Sequence, residues 1–220
     1  MDKINKKILA GTSAEIISAT LTYPLNTLKT NAQVGIILKG GVSLFRGYKY
    51  CFVNELINGI LFHTTYNTFS YLHPIVRAGL GAGICTFGSY PFYVRRKLAQ
   101  VGKKMNQPYK MSSNYKGIKL SLLNTIPTSA LNYTLKGYIH NNTSLGVFSG
   151  LLSTTVAIIL SHPLDTLTTN IVTGNKIKFI ECLMYKGFSQ RFFERNLTIS
   201  IKMFLIDYLV TMSLPSRYQG

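Results

Sequence analysis

The stretch Ser18–Gly35 reads SATLTYPLNTLKTNAQVG. An apolar segment runs into Pro24, followed by a polar residue two positions on (Asn26), a base five on (Lys29) and a glutamine nine on (Gln33). The pattern returns as GSYPFYVRRKLAQVG, with Pro91, Tyr93, Arg96 and Gln100. It returns again as LSHPLDTLTTNIVTG, with Pro163, Asp165 and Thr168. A second motif follows each copy: Phe45-Arg46-Gly47, Tyr115-Lys116-Gly117 and Tyr185-Lys186-Gly187. Two motifs in fixed phase, repeated three times, mark a repeat architecture.

The 220 residues then divide into repeats at approximately 8–72, 75–140 and 143–214. Hydrophobic residues make up 46% and charged ones 14%, with a mean hydropathy of +0.17. That balance is too apolar for a disordered basic tail and suits helices with one lipid face and one wet face. The formal net charge is +17, from 24 bases and 7 acids. The bases form no continuous stripe, so nucleic-acid binding gives way to a membrane protein that handles anions or sits on anionic lipid. Cys51, Cys85 and Cys182 have no metal-ligand spacing, and no removable signal peptide precedes the first repeat.

Six helices are expected, at about 8–34, 44–71, 75–101, 116–140, 145–172 and 188–214, each long enough for a bilayer core of roughly 20 residues. Six spans put both termini on one side. The loops after helices one, three and five carry most of the Lys and Arg, which makes theirs the inside. Pro24, Pro91 and Pro163 are helix kinks, tolerated in a membrane bundle where neighbours satisfy the freed carbonyl. Five of the seven acids (Glu15, Glu55, Asp165, Glu194 and Asp207) fall within the spans, where ionisable residues by default suggest function.

The three copies match the pattern P-x-[acid]-x-x-[base] in part (Pro24, Asn26, Lys29; Pro91, Tyr93, Arg96; Pro163, Asp165, Thr168), and with the aromatic-base-glycine that follows each they resemble the mitochondrial carrier family over essentially the whole chain. The resemblance implies an all-α membrane protein, with six tilted helices in three pseudo-symmetric pairs around a water-filled cavity. It implies alternating access and placement in the mitochondrial inner membrane. Carried over position by position, it makes Asn26, Lys29, Tyr93, Arg96, Asp165 and Thr168 the inner gate. Asp165 would pair with Lys29, Asn26 would face Arg96 and Tyr93 would face Thr168, with Gln33 and Gln100 as braces. A plainer reading makes these residues helix-end caps.

The outer-gate positions depart from the family pattern. They read Tyr66-Asn67 to Ser70, Lys136-Gly137 to His140 and Ile206-Asp207 to Val210, with Asp207 able to reach Lys136 or His140. The links are short, as if the surface helix that the family places there were trimmed. Helix starts at Arg46-Gly47, Lys116-Gly117 and Lys186-Gly187 would bind lipid phosphate, cardiolipin by the resemblance, through free N–H groups, the helix dipole and an adjacent base.

Seven residues past each motif glycine lie the positions that the resemblance makes substrate-binding. They are Asn54, Asn124 and Glu194, each with its neighbour Glu55, Thr125 or Arg195. Amides and a hydroxyl hydrogen-bond a base or sugar, and an Arg holds phosphate or carboxylate. A small organic anion is favoured, a nucleotide first and a carboxylate or amino acid second, although Glu15, Glu55 and Glu194 would suit a cationic or zwitterionic solute. The plainer reading of Asn54 and Asn124 is interhelical hydrogen bonding. The alternative class is a non-transporting, carrier-like membrane protein. No nucleophile–base pair, phosphate loop or metal set points to an enzyme, and no cofactor is implied. The expected form is a monomer with no nucleic-acid partner. Abundant Lys, Asn, Ile and Tyr suggest an AT-rich genome such as that of a large virus or parasite; a viral protein would act in host mitochondria.

Overall fold

Glycines punctuate the chain with the same three-fold rhythm as the prolines. Eleven residues after Pro24, Pro91 and Pro163 stand Gly35, Gly102 and Gly174, all at positive φ (77°, 73° and 71°). At each, the next residue's N–H bonds back to a carbonyl five residues earlier: Ile36 to Asn31, Lys103 to Leu98 and Asn175 to Asn170, at 2.9–3.0 Å. This is the Schellman ending, which glycine permits at little steric cost.

The computed structural model describes residues 2–37, 41–103, 111–142, 149–175 and 186–213. Among them it is all-helical, with six long helices: α1 (Asp2–Val34), α2 (Tyr48–Thr68), α3 (Pro74–Gln100), α4 (Ile118–Asn142), α5 (Ser149–Thr173) and α6 (Phe188–Ser213). Pro24, Pro91 and Pro163 lie inside continuous helices, as does Pro127.

Several boundaries differ from expectation, with α2 ending at Thr68 rather than 71 and α4 running on to Asn142. The basic lead before Ile8 is already helical. The second and fourth helices start later, at Tyr48 and Ile118, because Gly47 and Gly117 are left-handed (φ 81° and 83°). The links are not bare either. A 3-10 turn covers Gly41–Phe45, and one helical turn covers Met111–Asn114. The expected start of helix five at 145, the end of helix six at 214 and Tyr185 lie outside the described residues.

Each helix packs on the next in sequence, and α6 returns to α1, closing a ring. The odd helices α1, α3 and α5 also touch one another, through the halves that follow their prolines.

The ring inverts the usual distribution of polarity. Among the described residues, 27 buried side chains are polar or charged and 10 are apolar, several of those only Ala. Large apolar side chains point outward from every long helix, for example Leu21, Phe52, Leu80, Leu123, Leu160 and Phe204. In water this would forfeit most of the hydrophobic driving force. By length and composition alone, one helix among the described residues, Gly150–Thr173, is long and apolar enough to cross a membrane. The others carry the polar faces that line the interior.

Candidate functional site

Three seams close one end of the ring. On the α1–α5 seam, Lys29 Nζ lies 2.8 Å from Asp165 Oδ2, the pairing that the sequence predicts. Gln33 donates to the same carboxylate (2.8 Å) and to Thr166 Oγ1 (3.2 Å), and accepts from Thr169 Oγ1 (3.1 Å). Asn170 donates to the Gln33 carbonyl (3.2 Å). On the α1–α3 seam, Gln100 takes the corresponding place. It accepts from Thr30 Oγ1 (2.9 Å) and donates to Asn26 Oδ1 (3.0 Å) and Thr27 Oγ1 (3.2 Å), while Asn31 donates to its carbonyl (3.1 Å). Gln33 and Gln100 are both fully buried, where unmade bonds would be costly.

The α3–α5 seam has no glutamine. Val172 stands there, packed with Tyr90 and Val94, and Lys103 bonds the Thr173 carbonyl at its tip (2.7 Å). Asn31 and Asn170 were not expected to take part. Their signal is the T-x-x-x-N spacing shared by Thr27-Asn31 and Thr166-Asn170, in which each Asn also caps the Thr carbonyl on its own helix.

Two expected gate contacts do not form. Asn26 does not face Arg96; it donates to Glu194 (3.2 Å) and accepts from Gln100. Arg96 turns to Glu55 on α2 (2.9 Å) and lies against Cys51 Sγ (3.3 Å). A buried guanidinium takes a carboxylate in preference to an amide. Thr168 returns its hydroxyl to the Leu164 carbonyl (2.8 Å). Tyr93 instead stacks on Tyr90 and lies under Arg96 and Lys97, whose charges sit 5.5 and 5.6 Å from its ring centre.

A lock repeated three times ties each repeat together. The residue before each proline reaches the carbonyl of the base before the motif glycine: Tyr23 to Arg46 (2.6 Å), Tyr90 to Lys116 (2.9 Å) and His162 to Lys186 (3.1 Å). Sequence reading missed it because Tyr and His look unlike, although each carries a ring donor of similar reach. The motif glycines then approach the next odd helix. A Cβ on Gly47 would sit 2.8 Å from Ala99, and one on Gly187 would sit 3.1 Å from the Lys29 carbonyl. Arg46, Lys116 and Lys186 stand exposed beside these helix starts.

Above the seams lies a cavity of about 400 Å³. Tyr93, Arg96, Asp165 and Thr168 line it; Asn26 and Lys29 do not. Of the expected substrate residues, Asn54, Glu55, Asn124, Thr125 and Arg195 line it, and Glu194 is held behind at 5% exposure. Asn54 donates to Glu55 (3.1 Å), and the Oδ1 atoms of Asn54 and Asn124 are buried without a hydrogen-bond partner. The α4 wall is uncharged, continuing through Ser121, Ser129 and Asn132. The α6 wall is basic, with Arg191, Arg195 and Lys202. Lys202 pairs with Glu15 on the adjacent α1. Arg191 was not among the expected residues, since Cys51 and Ser121 fill its place in the other repeats. The side chains of Lys136, His140 and Asp207, the expected outer-gate partners, lie outside the described residues.

No group of three His, Cys, Asp or Glu among the described residues is placed to hold a metal. No protein-family model matches the chain, and no curated protein matches it significantly.

Proposed function

We propose that the chain is a six-span solute carrier of the mitochondrial carrier type, working by alternating access in the mitochondrial inner membrane. The inversion of polarity carries this reading. A ring that is apolar outside and polar inside suits lipid around it and water within it. The cavity, closed at one end by the three seams, corresponds to one of two access states. Rearranging Lys29–Asp165 and the two glutamine networks would open that end, and approach of the even helices would close the other. Arg46, Lys116 and Lys186 beside the starts of α2, α4 and α6 would hold anionic lipid, cardiolipin first.

The solute favoured is a small organic anion, a nucleotide before a carboxylate or amino acid. An uncharged hydrogen-bonding wall on α4 faces a basic wall on α6, which suits a solute with one neutral polar end and one anionic end.

Uptake by the purified chain in cardiolipin-containing liposomes tests the reading, with labelled nucleotides, carboxylates and amino acids, and with or without internal solute. Uptake that needs internal solute is expected. Absence of uptake of every class by folded, membrane-inserted protein would leave a carrier-like protein that does not transport.

A further inference from the structure

The charges around Asp165 do not balance. Lys29 Nζ and Arg191 Nη1 approach the same Asp165 oxygen, at 2.8 and 3.7 Å. Lys97, 1% exposed, bonds Thr30 Oγ1 (2.8 Å) in the same layer. Of the neighbouring acids, Glu55 is matched by Arg96 (2.9 Å) and Glu15 by Lys202, while Glu194 lies 3.7 Å from Arg195 and accepts from Asn26 (3.2 Å). Lys29, Lys97 and Arg191 therefore outnumber the buried carboxylates beside them, Asp165 and Glu194. Buried charge without a counter-charge is costly, so a layer of this kind favours an added anion.

Of the three cations, Arg191 alone lines the cavity. It is 4% exposed, and Nη2 donates to Ser161 Oγ (2.9 Å). Its Nε and Nη1 have no hydrogen-bond acceptor, since 3.7 Å to Asp165 is beyond hydrogen-bond reach. Guanidinium is suited to planar oxyanions. Arg195, the residue expected to hold an anion, has a side chain 51% exposed and is turned to Glu194.

We propose that Arg191 is the oxyanion-binding residue of the cavity, receiving a phosphate or carboxylate group. For its part in transport this rests on the carrier reading; for binding it does not. An oxyanion on Arg191 would compete with Asp165 for the guanidinium and leave Asp165 to Lys29 and Gln33. Arrival of the solute is thereby felt at the closed end.

The test uses the full chain in detergent with cardiolipin. Unfolding temperature is followed against inorganic pyrophosphate at constant ionic strength, with sodium chloride as the control. The wild type should be stabilised by pyrophosphate, and Arg195→Gln should weaken the response less than Arg191→Gln does. Arg191→Gln should raise the half-maximal concentration about tenfold or more, the loss of one or two charged hydrogen bonds. Should Arg191→Gln fail to fold, Arg191→Lys against Arg195→Lys makes the same comparison, with the larger loss expected at 191. No wild-type response, or Arg191 variants responding as the wild type does, would overturn the assignment. Liposome uptake by the wild type is scored separately. A response that depends on Arg191 without uptake keeps the site and removes the carrier reading, whereas uptake with no dependence on Arg191 does the reverse.

Discussion

Asp165→Asn should damage the protein more than Lys29→Gln, although the two residues form one ion pair. Asp165 accepts from Lys29 and Gln33 at 2.8 Å each, with Arg191 at 3.7 Å. Removing its charge leaves Lys29, Lys97 and Arg191 in a buried layer whose nearest acid, Glu194, is already engaged by Asn26 and Arg195. Breaking a buried pair in this way costs about 3–5 kcal/mol. Removing the Lys29 charge leaves Asp165 still served by Arg191 and Gln33, so the loss is nearer one charged hydrogen bond, roughly 1.5–3 kcal/mol. At about 2–4 °C per kcal/mol for a chain of this size, Asp165→Asn should lower the unfolding temperature on the order of 10 °C and Lys29→Gln by about half as much. The double variant removes a cation as well as the acid and should recover part of the Asp165→Asn loss. With Cys85 and Cys182 replaced by Ser, Cys51, 3% exposed, is the reporter, because a thiol-reactive dye labels it only as the bundle opens. A Lys29→Gln loss equal to or greater than that of Asp165→Asn would refute the reasoning, since it would mean that Arg191 and Lys97 do not share that carboxylate.

Other perturbations follow from the repeated contacts. Tyr23→Phe and Tyr90→Phe each leave a loop carbonyl without its donor, and each should cost about 1 kcal/mol, read as a fall of a few degrees in the same dye assay. Gly35→Ala meets nothing within 4 Å, so only its φ of 77° costs, about 1–2 kcal/mol. Gly47→Ala pays that and a 2.8 Å clash with Ala99, adding about 1–3 kcal/mol; equal unfolding temperatures for the two variants would contradict the packing described. Gln33→Ala strips partners from Asp165, Thr166 and Thr169 and should lower the unfolding temperature more than Val172→Ala, which removes only apolar contact on the third seam.

The repeats, the helices and the Lys29–Asp165 pair were legible because each is written in spacing, and spacing survives without coordinates. The partners of Arg96 and Asn26 were not. A rule that pairs odd helices with odd helices cannot see that an uncharged Asn26 frees Arg96 to turn to Glu55 on an even helix. Arg191 was invisible for a related reason. It has no counterpart in the other two repeats, so a search for periodic features passes over it. The locks at Tyr23, Tyr90 and His162 were hidden by chemistry, two phenols and an imidazole doing one job. The late start of α2 was readable in principle from Gly47, whose left-handed φ forbids an ordinary helical turn there.

The lock before each proline reduces the mechanical freedom of the molecule. With Arg46, Lys116 and Lys186 fastened to the helix behind them, each odd helix and the start of the next even one move as a single piece. Six rods thus become three jointed bodies. The three joints differ in kind: two are held along their depth by directional amide and charge contacts that must break before they slip, and the third is apolar at Val172 and tied at its tip by Lys103. Apolar surfaces have no preferred direction and slide without losing a bond. Any motion of these bodies therefore has a natural hinge line along α3 and α5, and the symmetry of the sequence becomes an asymmetry of movement.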